Sequence, residues 1–444
     1  MQSFFSGIED RTRVLDAEGI AKAVGAMVTD GELQAGDPLP PIRTVARHFA
    51  ISSSTVAAAW AIMRRHGMIH TERRRGTTIR PFASHGRNRY WQVPITGRRL
   101  DLDLSTGTPD PELLPPLEPI LAKVQTDLKV MSYLDPPVLP ELEKELLRRW
   151  PYEPEAITVL DGANDGLDRV IASVIRLGDL VVVEDPTYPL VLDHLEQAGA
   201  EIIGVGLDDH GLSVDGLAAV LPRAPRAVVL QTGAHNPTGT ALTTERAAAL
   251  SGLLSSTGTI IIEDDHVESS DFRSDVSLGV TLPDRVYRIQ SFSKTYGPDL
   301  RIAAVAGPKG GIDIIQQQRQ MGPGWTSRLI QRILLEMLKS DEVSAIIDAA
   351  AATYSERRRL LVGELQNRNV AIGPGSGLNL WVPVVSEQLA TVALAASGIG
   401  VSPGQPFRVH SETPHIRVTS ANARSGFAQL AETIAAAADN RSAR

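Results

Sequence analysis

The stretch Ser291-Phe292-Ser293-Lys294-Thr295-Tyr296-Gly297-Pro298-Asp299-Leu300-Arg301 sets one primary amine among hydroxyls, with a guanidinium seven residues on. The run before it, Val286 to Gln290, favours a buried strand, so Lys294 stands at a strand's carboxyl end, where open α/β sheets gather their chemistry. An amine held there can form a Schiff base with an aldehyde, and Ser291, Ser293 and Arg301 can hold a phosphate on the same molecule. The chemistry this stretch suits is therefore capture of a phosphate-bearing aldehyde cofactor. A lysine after a strand also reads as a solvated turn residue, and the stretch alone leaves both readings open.

Other strand-like runs end in residues of the same use. Ala156 to Leu160 is followed by Asp161-Gly162-Ala163-Asn164, a small-residue turn entering a helix, whose amides can hold a phosphate at the helix N-terminus. Leu180 to Glu184 is followed by Asp185-Pro186-Thr187-Tyr188, whose ring can lie flat on an aromatic cofactor. Ala227 to Gln231 leads to His235-Asn236-Pro237-Thr238-Gly239, where the Asn236 amide can donate to a phenolate. Thr259 to Glu263 leads to Asp264 and Asp265; a carboxylate there is costly unless it faces a cation such as a protonated pyridinium nitrogen. Taken singly, these are also an ordinary turn, a core tyrosine and an Asn-Pro turn.

The elements that must position these residues follow from pattern. The five runs above, with Ile202 to Val205 and Ile302 to Ala306, alternate with helical stretches such as Gly166 to Ile175 and Thr244 to Leu254. That alternation predicts an α/β fold with a seven-stranded, mostly parallel sheet buried on both faces. From about residue 340, helical stretches (Ser344 to Asn367, Ser386 to Ala396, Phe427 to Ala438) alternate with short strands (Gly377 to Val382, His415 to Val418). This predicts a smaller α+β domain that closes over the sheet and supplies Arg417.

Composition bounds the rest. A chain of 444 residues with 43% apolar and 22% charged content is long enough for several domains and ordinary for a globular protein. The absence of cysteine excludes disulfides, thiolate metal sites and cysteine nucleophiles, and no metal site is expected. Met1 to Asp10 lacks the pattern of a secretory signal, and no apolar run reaches membrane-spanning length, so a cytoplasmic protein without a membrane partner is expected. The net charge of -8 is uneven: residues 1 to 80 carry ten Arg and one Lys against eight acids, and 41 to 80 hold eight Arg against the single Glu72. Charge alone suits a polyanion partner and a solvated face equally.

Pattern favours the polyanion. Ile20 to Thr29 has helical spacing; Ile42, Val45, Ala46 and Phe49 mark a short helix; Thr55 to His66 marks a second, with Val56, Ala59, Trp60 and Met63 inward. Two short helices joined by a tight turn form a helix-turn-helix, and Met68 to Ile79 reads as a hairpin with arginines at its tip, a wing. With Gly31-Glu32-Leu33, Gly36-Asp37-Pro38-Leu39-Pro40, Arg43, Ser52, Thr55-Val56 and Arg75-Gly76-Thr77, the segment resembles the winged-helix DNA-binding domain of the GntR family. The resemblance implies that Arg43, Ser52, Ser53, Ser54, Thr55 and Arg75 contact double-stranded operator DNA. Ser53 replaces the family's usual arginine, which shifts base reading towards Arg43 and the wing. The three serines also suit a plain helix cap.

Residues from about 102 to 440 resemble fold-type I pyridoxal-phosphate proteins, the aminotransferase class I/II superfamily. The resemblance begins at Leu104-Ser105-Thr106-Gly107-Thr108-Pro109-Asp110, takes in the strand-end motifs and ends past His415-Ile416-Arg417-Val418. It implies pyridoxal 5'-phosphate as an internal aldimine on Lys294, Asp264 on the pyridinium nitrogen, Asn236 on the ring oxygen and Tyr188 stacked on the ring. By the same resemblance Gly162, Ala163, Asn164, Ser291, Ser293 and Arg301 hold the phosphate, and Arg417 binds a substrate or effector carboxylate. Tyr133 would reach across a homodimer interface. His266 stands where the family has a tyrosine donor to the ring oxygen, which implies a retuned cofactor.

The combination resembles the MocR subfamily of GntR regulators. It implies a winged helix-turn-helix over 1–80, a linker over 81–104, a large cofactor domain over 105–340 and a small domain over 341–444. The function implied is a transcription regulator that senses pyridoxal phosphate itself or an amine or amino-acid effector. The alternative is a working aminotransferase with an accessory N-terminal domain.

Overall fold

The computed structural model describes residues 2–12, 14–29, 32–34, 36–65, 69–72, 76–79, 89, 100–125, 132–265 and 275–439. The chain divides into two compact units, Met1–Gly86 and Arg87–Arg444.

The first unit has helices Gln2–Arg11, Ala17–Thr29, Ile42–His48 and Ser53–Arg65 and a hairpin of Ile69–Glu72 with Gly76–Ile79. Ile20, Val24 and Met27 share one helix face, as do Val56, Ala59, Trp60 and Met63, and all are buried together with Val45, Ile69 and Ile79. The tight turn after Ile42–His48 passes through Ala50 at φ 55°. The hairpin pairs Ile69 with Ile79 and Glu72 with Gly76, and Pro38 bridges Thr78, which pins the chain before the helix-turn-helix to the wing. Helix Gln2–Arg11 is an addition to the expected elements; it buries Phe4, Phe5 and Ile8 in the same core.

The second unit is built on a sheet of order Ala156–Leu160, Ala303–Gly307, Val286–Ser291, Ile260–Asp265, Ala227–Leu230, Leu180–Asp185, Glu201–Asp208, Gly211–Leu212. All seven expected strands are in it, and the expected count is corrected to eight. The eighth, Gly211–Leu212, folds back antiparallel on Glu201–Asp208, and two residues are too few to show a period of two. Ala303–Gly307 runs antiparallel to both neighbours; the other strands from Ile260–Asp265 to Glu201–Asp208 pair in parallel. Apolar clusters cover both faces, one around Leu167, Val183 and Ile289, the other around Val182, Leu230 and Ile261. Each such fully buried aliphatic side chain contributes about 1.5–3 kcal/mol, which is why these strands read as continuous apolar runs.

A three-stranded sheet of Leu380–Pro383, His415–Val418 and Ser402–Pro403 packs with helices Asp341–Gln366, Glu387–Ala396 and Phe427–Ala438. Leu102–Asp103 pairs in parallel with Ile399–Gly400 and Leu104 is buried in this lobe's core. The span expected as linker thus ends inside the C-terminal sheet system. The same pairing delivers the next residues, Ser105 to Gly107, to the site.

Candidate functional site

Strand register explains how the expected residues converge. Ala303 pairs with both Leu160 and Ser291. Because Ala303–Gly307 is antiparallel, its start lies beside its neighbours' ends, so Gly162, Ser293 and Arg301, each two residues beyond this row, emerge at one edge.

There Gly162 adopts φ +100° at the start of helix Ala163–Val174. A Cβ on it would lie 3.3 Å from the Arg301 guanidinium, so the glycine lets the two approach. Arg301 itself is held in the left-handed region at φ 44°. Ser291 Oγ and Ser293 Oγ lie 2.9 Å apart. The first-turn amides of Ala163 and Asn164, the guanidinium and the hydroxyls make a cradle of donors with the chemistry to hold a phosphate.

Lys294 lies in the short helix Ser293–Tyr296 directly after strand Val286–Ser291. Its Nζ donates to the Gly107 carbonyl at 2.7 Å. Loss of hydration, followed by the nearby Arg417 guanidinium, lowers its pKa to about 8 against the pull of Asp264. A lysine so poised is a free amine in useful amount near neutrality.

Asp264, near the end of Ile260–Asp265, is 3% exposed, and its Oδ1 has no hydrogen-bond partner among the described residues. Burial, then the neighbouring Asp265 carboxylate, raises its pKa to about 7, while Lys294 opposes. A buried acceptor left open in this way is costly, and a pyridinium N–H is the kind of partner that relieves it. On this observation the residues present fit pyridoxal phosphate.

Asn236 is oriented from two sides. Its N–H donates to Gln231 Oε1 at 2.7 Å, and its Oδ1 accepts from Arg417 at 3.3 Å. Arg417, 2% exposed on strand His415–Val418, also donates to the Ser105 carbonyl and lies over the Phe407 ring at 5.0 Å. Lys294 and Arg417 therefore both touch the Ser105–Gly107 turn. Tyr188 is partly buried and precedes helix Pro189–Gln197 at its N-cap. His266 and Arg75 lie outside the described residues.

Several supporting residues escaped sequence reasoning. Arg288, 2% exposed within strand Val286–Ser291, donates to Glu263 at 3.0 Å and to Asp265 at 2.5 Å. This buried cluster fixes the Asp265 charge that acts on Asp264. His235 stands 3.3 Å from the buried Glu184 and 2.9 Å from Thr238 Oγ1, bracing the turn that carries Asn236. The Asp185 carboxylate accepts the N–H groups of Val409, His410 and Ser411 at 2.9–3.0 Å, tying the small lobe to the sheet. The only available signal was polar residues within or just after apolar strands, which reads equally as a strand boundary.

In the first unit, Arg43 is exposed on helix Ile42–His48, and Ser52, Ser53 and Ser54 are exposed at the start of helix Ser53–Arg65. Ser52 Oγ accepts from the Thr55 N–H at 2.9 Å and lies 2.6 Å from Ser54 Oγ. Ser52 is thus the helix cap, and the cap leaves Ser53 and Ser54 facing solvent. No helix of the described residues is long and apolar enough to cross a membrane, and among them no cluster of His, Asp and Glu is placed to hold a metal ion.

Residues 101–434 match the family model for aminotransferase class I and II, and residues 16–79 that for bacterial regulatory proteins of the gntR family. The chain is 33% identical over 416 residues to the vitamin B6 salvage pathway transcriptional repressor PtsJ of Salmonella typhimurium, covering 91% of this chain and 94% of that one. It is 25% identical to the pyridoxine biosynthesis transcriptional regulator PdxR of Corynebacterium glutamicum, over 86% of each. Its fold is similar to Pyrococcus horikoshii kynurenine aminotransferase, with a TM-score of 0.68 and 22% identity over 76% of this chain and 91% of that one. The chain belongs to the MocR-type transcriptional regulators, in which a GntR-family DNA-binding domain is joined to a pyridoxal-phosphate domain of the aminotransferase class I and II family.

Proposed function

We propose that this regulator binds pyridoxal phosphate covalently at Lys294 and that occupancy of the site, by the cofactor alone or with an amine or amino-acid effector, sets its affinity for operator DNA. The observation that carries this reading is the open Oδ1 of buried Asp264 in the same site as the lowered-pKa amine of Lys294. When bound, pyridoxal phosphate supplies an aldehyde that condenses with primary amines. Asp264 then holds the ring nitrogen, Asn236 faces the ring oxygen, Tyr188 covers the ring, and Gly162, Ala163, Asn164, Ser291, Ser293 and Arg301 hold the phosphate. Arg417 takes an effector carboxylate. The similarity to PtsJ and PdxR, a vitamin B6 salvage repressor and a pyridoxine biosynthesis regulator, supports vitamin B6 itself as the signal.

Arg43, Ser52, Ser53, Ser54, Thr55 and Arg75 form the DNA-contacting set, acting in the cytoplasm on double-stranded DNA. The protein works as a homodimer through its aminotransferase-like domain. Tyr133 and Leu134 are 88% and 95% exposed, with Tyr133 against Trp325 at 5.8 Å and Arg328 over that indole at 4.8 Å, an aromatic surface suited to a second copy. We assign the large domain to 105–340 and the small domain to 341–444, and shorten the linker expected over 81–104 by Leu102–Leu104, which belong with the small lobe. Footprinting of promoter fragments with and without pyridoxal phosphate, with Arg43→Ala as control, tests the reading. Protection that changes with the cofactor and disappears in the variant is expected; protection indifferent to the cofactor at every concentration rejects it.

A further inference from the structure

Arg89, within the stretch expected as linker, is held against a helix of the second unit. Its backbone N–H donates to Asp193 Oδ2 at 3.0 Å and its guanidinium to Asp193 Oδ1 at 2.5 Å. The same guanidinium donates to Glu196 Oε2 at 2.9 Å and to Glu196 Oε1. Asp193 and Glu196 lie three residues apart on helix Pro189–Gln197, so they share one face and close on a single guanidinium as a pair. Among the described residues neither carboxylate pairs with another cation. A lone surface ion pair holds side chains loosely and is screened by salt. Here a main-chain N–H takes part, so the backbone at Arg89 is held as well as the side chain.

The helix that receives Arg89 begins at the cofactor site. Tyr188 is its N-cap, and the preceding segment is tied to the small lobe: the Thr187 N–H donates to the Phe407 carbonyl at 2.8 Å, and Asp185 accepts the amides of 409–411. Phe407 in turn carries the Arg417 guanidinium on its ring. An unbroken set of contacts therefore runs from the carboxylate-binding arginine and the ring-covering tyrosine, along one rigid helix, to the linker that leads in sequence to the DNA-binding unit.

We propose that Arg89 is a clamp between linker and helix through which occupancy of the cofactor site is passed to the DNA-binding unit. The proposal rests on the regulator reading above. Coupling requires that the clamped and released linker differ in free energy between the empty and the occupied site. The clamped arrangement is the one observed, and because its charged groups are partly exposed, the released arrangement that the proposal requires is one in which water takes their place.

The test uses the full-length protein and a DNA fragment protected in footprinting. Anisotropy gives the operator Kd with and without pyridoxal phosphate, and absorption spectra give cofactor binding, for wild type, Arg89→Ala, Glu196→Gln and the reversed pair Arg89→Glu with Glu196→Arg. In wild type the ratio of the two Kd values departs from one by about five-fold or more; in Arg89→Ala and Glu196→Gln it falls to within about two-fold of one while cofactor binding stays as in wild type. The reversed pair regains part of the ratio. A wild-type ratio preserved in Arg89→Ala overturns the clamp and leaves the regulator reading standing. Loss of cofactor binding in Arg89→Ala also overturns it, because Arg89 then acts on the site. A wild type whose DNA affinity ignores the cofactor overturns both.

Discussion

Arg417 and Asn236, 181 residues apart, share a hydrogen bond of 3.3 Å in which the guanidinium donates to Asn236 Oδ1. Because a guanidinium offers no acceptor, this bond fixes which end of the amide faces which way: the oxygen towards Arg417 and the NH2 away from it, the end that the proposed function gives to the ring oxygen of the cofactor. Under the proposed function one asparagine would report to both ligands, the cofactor through its nitrogen and the effector through Arg417.

Asn236→Asp separates the two roles. The new carboxylate should pair with Arg417 and occupy the guanidinium that the proposed function gives to an effector carboxylate. Spectral titration of the cofactor-loaded protein should show amino-acid affinity falling by about 10- to 100-fold, the worth of one charge-assisted hydrogen bond, relative to a simple alkylamine. Equal losses for both would remove Arg417 from carboxylate recognition.

Lys294 gives a pH signature. Only the neutral amine attacks an aldehyde, and its pKa is lowered to about 8, first by desolvation and then by Arg417. The rate of cofactor capture by the apoprotein should rise with pH around a midpoint near 8. Arg417→Leu removes the second cause and should move that midpoint upward, towards the value of a solvated lysine. Lys294→Ala should abolish borohydride trapping of the cofactor on the peptide spanning 291–301; label retained on that peptide would assign the attachment elsewhere.

Much of this site was legible because its residues fall just past strand ends, and each strand announced itself as an apolar run. Lys294, Asp264 and Asn236 all follow such runs, and register then brings them together without further information. The supporting residues were not legible for a physical reason. Arg288 looks like a misplaced charge in a strand until Glu263 and Asp265 are seen on the adjacent strand, the first in register with it and the second with Gln290, two residues on. Likewise Leu102–Asp103 shows no period over two residues, and its partner Ile399–Gly400 is nearly 300 residues away. Helix Gln2–Arg11 carried Phe4, Phe5 and Ile8 at helical spacing, but only against distant residues such as Met27 and Phe49 does that face acquire a reason to be buried.

Asp264 links function to stability, and the sign is worked from its raised pKa. Its folded value is about 7 against an ordinary 3.8, so between about pH 4 and 7 the folded apoprotein holds a proton that the unfolded chain has lost. Apoprotein stability should therefore fall as pH rises through that window, and above it the buried carboxylate costs on the order of 2–4 kcal/mol. Asp264→Asn should raise the Tm of the apoprotein at pH 8 and flatten the pH dependence, yet weaken cofactor binding because the pyridinium loses its anion. Calorimetry across pH with cofactor titration checks both halves. A variant that is less stable at pH 8 and binds the cofactor unchanged would contradict the assignment of Asp264 to the ring nitrogen.

Gly162 tests the phosphate cradle without touching a charged group. Its φ of +100° disfavours any L side chain, and a Cβ would meet the Arg301 guanidinium at 3.3 Å, a tight contact that displaces this arginine by a few tenths of an ångström. Gly162→Ala should cost about 1–3 kcal/mol in local strain and weaken pyridoxal phosphate by roughly ten-fold. Pyridoxal, which lacks the phosphate, should bind nearly as before. Arg301→Leu keeps the glycine and removes the cation, so it should reproduce the selectivity without the strain. Titrating both aldehydes against the three proteins resolves the two effects: a loss shared by both ligands would mean that the substitution disturbs Lys294, whereas a loss confined to the phosphorylated one locates the cradle at the Gly162–Arg301 contact.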